Sequence, residues 1–183
     1  MNTLFHNQFY FHLKAPNADE LIAFLDEKND ISDKAHWSDQ CVVDNVSLAS
    51  SPEVLDLISP SLQELAKELK FDGRFFVMHP WINIYREHSY QEVHEHPGCD
   101  MSAVFFINEG DDFAKFYFRD RFSCTLTGNT RRVLNYYDTQ TIRVSAGHML
   151  FFPNGFYHGV GPHRSKQVRK TMSFNFNFEL NEQ

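Results

Sequence analysis

The sequence predicts an α+β fold that is mostly β, with helices buttressing a β-sandwich or jelly roll. Helical periodicity is confined to roughly the first 70 residues, and from Phe75 onward the chain breaks into short aromatic and β-branched runs. Phenylalanine alone supplies 19 of the 183 residues, and aromatic side chains suit pleated, half-buried surfaces. A block of helices followed by a block of strands is the order expected when helices cover one side of a sheet pair.

Asn17, with Glu20 three positions on, has the pattern of a capping box ahead of Leu21, Ile22, Phe24 and Leu25, so a helix is expected from Ala18 to Lys28. Ser51-Pro52-Glu53 and Ser59-Pro60 each pair a capping residue with proline at a first helical position, and Leu62, Leu65, Ala66 and Leu69 supply an apolar stripe. Strands follow at Phe75–Val77, Ala103–Ile107, Phe116–Phe118, Met149–Phe152 and Ser173–Phe178. The last alternates, with Phe174, Phe176 and Phe178 on an apolar face and Ser173, Asn175 and Asn177 on a face able to meet a polar cavity. Arg119 to Gln140 is polar, holds Gly128-Asn129 and Tyr136-Tyr137, and is expected to lie as a lid over the mouth of the sandwich.

A chain of 183 residues, 42% hydrophobic and 22% charged, fits one compact domain over 1–183. Its helical part runs to about residue 70 and its strand core over about 74–179. The formal net charge of −7 argues against a general phosphate-backbone binder, which needs a concentrated basic surface. Cys41, Cys99 and Cys124 are odd in number and widely spaced, the pattern of reduced thiols in a cytoplasmic protein. No leader pattern and no run of roughly 18 apolar residues is present, so no membrane partner is expected.

The chemistry-bearing segment is His94-Glu95-His96. Two imidazoles at i and i+2 on extended chain project from one face and can share an ion. His158 would close the site from another strand, and Arg169, on the strand after it, could hold a carboxylate beside the metal with its planar fork. On the same spacing, Glu92 falls on the face of His94 and His96 while Glu95 points away, so Glu92 is an alternative ligand. A loop after His96 could also deliver Asp100. Asn83 and Tyr85 share one strand face and could hydrogen-bond a cosubstrate, as could Thr171 and Ser173 on the face of Arg169. His79, His88, His148 and His163 read as structural or solvated.

Trp81-Ile82-Asn83-Ile84, His94-Glu95-His96-Pro97-Gly98 and Ser102-Ala103-Val104-Phe105-Phe106 occur in a recognisable order. Gly147-His148-Met149-Leu150-Phe151-Phe152-Pro153, His158 and Arg169-Lys170-Thr171-Met172-Ser173-Phe174-Asn175 continue it. Over roughly Arg74 to Phe178 the chain resembles the 2-oxoglutarate/Fe(II)-dependent oxygenases, including relatives that hydroxylate prolyl side chains. The resemblance implies a double-stranded β-helix with iron bound inside, His94 and His158 as ligands, and Arg169 paired with the distal carboxylate of 2-oxoglutarate. Such oxygenases generally use two histidines and one carboxylate. Here His96 stands at the second motif position, so His94, His96 and His158 are the preferred set, with Glu92 and Asp100 as alternatives. The implied activity is hydroxylation of a C–H bond in a peptide residue or small molecule, consuming O2 and releasing succinate and carbon dioxide, with ascorbate as an admissible reductant. The competing reading is a cupin-like metal-binding protein, or a three-histidine dioxygenase that uses no 2-oxoglutarate.

Overall fold

A computed structural model of the chain describes residues 8–28, 33–35, 43–49, 51–121 and 126–181. In chain order the elements are β1 (Phe11–Lys14), α1 (Ala18–Asp26), β2 (Asp33–Ala35), β3 (Val43–Ser47), α2 (Glu53–Leu69), β4 (Gly73–Tyr85) and β5 (Gln91–His94). There follow β6 (Met101–Phe106), β7 (Phe116–Arg119), α3 (Gly128–Leu134), β8 (Thr139–Thr141), β9 (His148–Pro153), β10 (Tyr157–Val160) and β11 (Arg169–Leu180). A seven-stranded sheet runs β1-β9-β6-β11-β4-β3-β2 and a four-stranded sheet runs β5-β10-β7-β8. Every recorded pairing is antiparallel.

The large sheet has core on both faces, which explains why β6 and β9 are apolar at nearly every position. Ala103 and Phe105, Met149 and Phe151, and Met172, Phe174 and Phe176 point toward the helices, where they meet Leu21 and Leu25 of α1 and Ile58, Leu62 and Leu65 of α2. The alternate residues Val104, Phe106, Leu150 and Phe152 point the other way, to Phe116 and Val160 of the small sheet. On β11 the alternation instead sends Thr171, Ser173 and Asn175 toward the small sheet, where they line a cavity.

Several sequence expectations are corrected. Asn17 does precede α1, but its side chain makes no capping bond; its Nδ2 donates to Leu57 O at 3.0 Å, tying α1 to α2. The expected helix is present as Ala18–Asp26. Ser59-Pro60 opens no helix: α2 runs unbroken through Pro60, because Ile58, Ser61, Leu62 and Leu65 are buried and packing outweighs the hydrogen bond that proline removes. The front of the chain is not purely helical, since β1 pairs with β9 and β3 with β4. The expected lid carries α3, with no buried residue, and the exposed strand β8. Its residues 122–125, like Cys41 and Cys124, lie outside the described residues, whereas Cys99 is a free, buried thiol. Among the described residues no helix is long and apolar enough to cross a membrane.

Phe174 is 0% exposed and packs edge-on against Phe151. Phe174→Ala is expected to cost about 3–5 kcal/mol, read as a lower urea midpoint at unchanged slope.

Candidate metal centre

The centre forms where β5 ends against β10. His94 and His158 are direct cross-strand partners, and the next recorded pair is Gln91 with Val160. Three residues on β5 therefore oppose two on β10, a bulge that resets the alternation. Gln91, not Glu92, consequently faces the cavity with His94, and beyond the end of β5 both Glu95 and His96 line it too. The sequence expectation that Glu92 shares the face of the histidines and Glu95 points away fails here, because strand periodicity neither survives the bulge nor extends past His94.

His94, His96 and His158 each offer one nitrogen, and these three atoms lie within 4.8 Å of one another. The ring centroids are 4.3 Å apart for His94–His158, 5.0 Å for His96–His158 and 5.1 Å for His94–His96. Each Nδ1 already has a partner: Glu92 O for His94, Phe156 O for His158 and Asn175 Oδ1 for His96, all at 2.8 Å. Nδ1 therefore carries the proton, and Nε2 keeps its lone pair for a ligand. Ser102 Oγ also donates to Asn175 Oδ1 at 2.9 Å, fixing that acceptor.

Burial holds all three imidazoles below their ordinary pKa. His158, 3% exposed, is pushed well below it by burial and then by the neighbouring His94 and His96. For His94 the Glu92 carbonyl pulls partway back, and for His96 the Asn175 side chain does. Three neutral, pre-oriented imidazoles suit a divalent first-row ion. Neither alternative carboxylate joins the cluster. Asp100 is held at the margin of the large sheet, its Oδ2 accepting from Phe178 N at 2.8 Å.

The cavity, about 380 Å³, runs from the imidazoles to Arg169. Antiparallel pairing of β11 with β4 places Arg169 opposite Tyr85, Thr171 opposite Asn83 and Ser173 opposite Trp81, and all six line it. Arg169 is 3% exposed, with Cζ 4.5 Å from the Tyr85 ring centroid and 5.6 Å from that of Phe106. Its Nη1 is buried without a hydrogen-bond partner. Burial lowers its pKa and the Tyr85 phenol opposes the shift, but a guanidinium stays charged. A buried cation with an unmatched donor, facing the same space as three metal-competent nitrogens, is complementary to an acidic group.

Asn83 and Tyr85 line the cavity but are hydrogen-bonded within its wall. Trp81 Nε1 and Gln91 Nε2 donate to Asn83 Oδ1 at 3.1 and 3.3 Å, Asn83 Nδ2 donates to Ser173 Oγ at 3.0 Å, and Tyr85 Oη donates to Gln91 Oε1 at 2.6 Å. Because Ser173 Oγ accepts from Asn83, its own proton is free to turn to a ligand. Gln91 and Ser102 were not foreseen; a bulge leaves no mark in the alternation of letters. Asn175 was visible on the polar face of the last strand, though nothing in the spacing linked it to His96. Of the other histidines, His163 is fully buried and structural, accepting from Ala114 N at 3.2 Å and donating to Gln167 O at 2.7 Å.

No curated protein sequence matches the chain. Among solved structures it is similar to the non-heme α-ketoglutarate-dependent carbocyclase SnoK from nogalamycin biosynthesis, with a TM-score of 0.70 and 14% identity over 94% of this chain and 80% of SnoK. A prolyl-4-hydroxylase from Pseudomonas putida gives 0.65 and 14% over 94% of each chain. HygX from Streptomyces hygroscopicus, solved with nickel and 2-oxoglutarate bound, gives 0.66 and 10% over 93% of this chain and 83% of HygX. At such identities the likeness speaks to the fold, the double-stranded β-helix of these oxygenases. The family model described as "Putative 2OG-Fe(II) oxygenase" matches residues 79–175, from the middle of β4 to the asparagine that holds His96, which is more than half of the sequence. On that match the chain belongs to the 2OG-Fe(II) oxygenase family.

Proposed function

We propose that the protein is a 2-oxoglutarate- and Fe(II)-dependent dioxygenase that hydroxylates a C–H bond of a peptide residue or small molecule. One observation carries this reading: a buried, unmatched Arg169 donor facing the same cavity as three converging imidazoles. Fe(II) and 2-oxoglutarate, when bound, supply the oxidative chemistry, in which O2 is consumed, the keto acid leaves as succinate and carbon dioxide, and the substrate gains a hydroxyl. His94, His96 and His158 hold the metal through Nε2, their rings fixed by the carbonyls of Glu92 and Phe156 and by Asn175. Arg169 takes the distal carboxylate, helped by the hydroxyls of Ser173 and Thr171. Asn83 and Tyr85 flank the cosubstrate and, with Gln91 and Trp81, keep this wall rigid. Val104, Phe116 and Val160 give the cavity an apolar wall that limits water. The reading sets the enzyme in the cytoplasm, in keeping with the free thiol of Cys99.

Anaerobic titration of 2-oxoglutarate into the metal-loaded protein tests it. Arg169→Ala is expected to weaken binding about 10- to 100-fold, the worth of a hydrogen-bonded charge; unchanged binding would favour the cupin-like reading. With Fe(II), ascorbate and 2-oxoglutarate, the protein is expected to form succinate slowly without substrate and His158→Ala to form none. A His158→Ala rate equal to that of the parent rejects the assignment. Because the folded state depresses the imidazole pKa values, stability contributed by the neutral rings is full above about 6.5, the unfolded value. It is lost as pH falls toward the folded values. Metal-free protein should therefore show a urea midpoint that falls between pH 7.5 and pH 5, with a shallower fall in His158→Gln.

A further inference from the structure

A second cavity of about 440 Å³ has a wall that adjoins Glu95. Phe118, Tyr136, Tyr137, Phe156 and Tyr157 give it an aromatic lining. The two cavities share no lining residue, but residues of their walls touch. Glu95 belongs to the wall of the first and Asn154 and Gly155 to the wall of the second. The His96 amide donates to Asn154 O at 3.1 Å, and a Cβ on Gly155 would stand 4.0 Å from Glu95 Oε2.

Arg121 occupies this boundary. Its Nη1 is 3.3 Å from Glu95 Oε2, and its Cζ is 5.1 Å from the centroid of the Tyr157 ring. Glu95 follows β5 and Arg121 follows β7, and β10, which begins at Tyr157, lies between those strands. The ion pair thus arches over the end of β10. A carboxylate beside an aromatic face is a receptor for an organic cation, and here the chain's own guanidinium fills it. That guanidinium is held weakly, since the Arg121 side chain is 52% exposed and exposed ion pairs contribute little. Glu95 is the one carboxylate among the described residues lining the metal cavity. The net charge of −7 also favours the approach of a cation.

We propose that Glu95 and Tyr157 anchor the substrate through a guanidinium or ammonium group, which displaces Arg121. The rest of the substrate then divides between the aromatic groove and the metal cavity. The proposal rests on reading the imidazole cluster as an oxygenase centre, and it names the substrate class: a molecule bearing an organic cation at the entrance to that centre. The cation is either a basic side chain of a peptide or the amine or guanidine of a small molecule.

The test is an NMR titration of the full-length protein with n-butylguanidinium chloride, with neutral n-butylurea as control. It is read at the Tyr157 ring and at the Glu95 and Arg121 amides. The guanidinium is expected to give saturable shifts at these positions and the urea none at the same concentrations. Glu95→Gln should weaken the guanidinium about tenfold. Arg121→Ala, which removes the internal competitor, should tighten it about threefold. Equal responses to urea and guanidinium, no response to either, or weaker cation binding in Arg121→Ala overturns the proposal. Repeating the titration with a blocked alanine–arginine–alanine tripeptide separates the sources: tighter binding than butylguanidinium assigns a peptide, and equal binding a small molecule. None of these signals requires iron or the keto acid, so their failure leaves the 2-oxoglutarate titration standing, and the reverse also holds.

Discussion

Along β11, Met172, Phe174 and Phe176 enter the helix-facing core while Arg169, Thr171, Ser173 and Asn175 line the cavity between the sheets. One strand therefore carries packing on one face and the site on the other, and its register against β4 decides both. A slip of one residue would drive the phenylalanines into the cavity and the guanidinium into the core. The register is held by pairing with β4 on one side and β6 on the other. On β4 it accommodates one extra residue near His79 and Pro80, where His79 adopts a positive φ of 31°.

What could be read from the letters follows from this geometry. Elements whose side-chain period matches their burial were legible: the doubly covered runs of β6 and β9, the alternating β11, and the apolar stripe of α2. The histidine pair was legible from its i, i+2 spacing, and the distant His158 joined it through the ordered motifs of the family resemblance, since residue type alone does not distinguish it among ten histidines. Features set by tertiary contacts were not legible. Asn17 looks like a cap but reaches across to α2, and Pro60 looks like a helix start but is carried inside a helix that packing holds together. The bulge that turns Gln91 inward and Glu92 away depends on how β5 meets β10, which no local pattern encodes.

The electrostatic design of the site is one-sided. Three neutral imidazoles bring no negative charge of their own, and Arg169 brings a positive one, so a divalent ion here would meet no carboxylate ligand among the described residues. On the proposed reading, a dianionic keto acid supplies that missing charge. The metal and the acid then reinforce each other, and both stabilise the folded chain against the unfolded one. A guanidinium buried without an acidic partner is costly in the empty protein. On the proposed reading, the carboxylate of the keto acid relieves that cost.

The molecule also divides its tolerance to change. Arg169 stands in the large sheet, which is packed on both faces, and His158 is 3% exposed, whereas α3 buries none of its residues and β8 is exposed throughout. Drift in α3 and β8 can therefore accumulate with little penalty to folding, and Tyr136 to Asp138, between them, border the aromatic groove. A lineage built on this plan can explore new chemistries of recognition while inheriting its reactive centre unchanged.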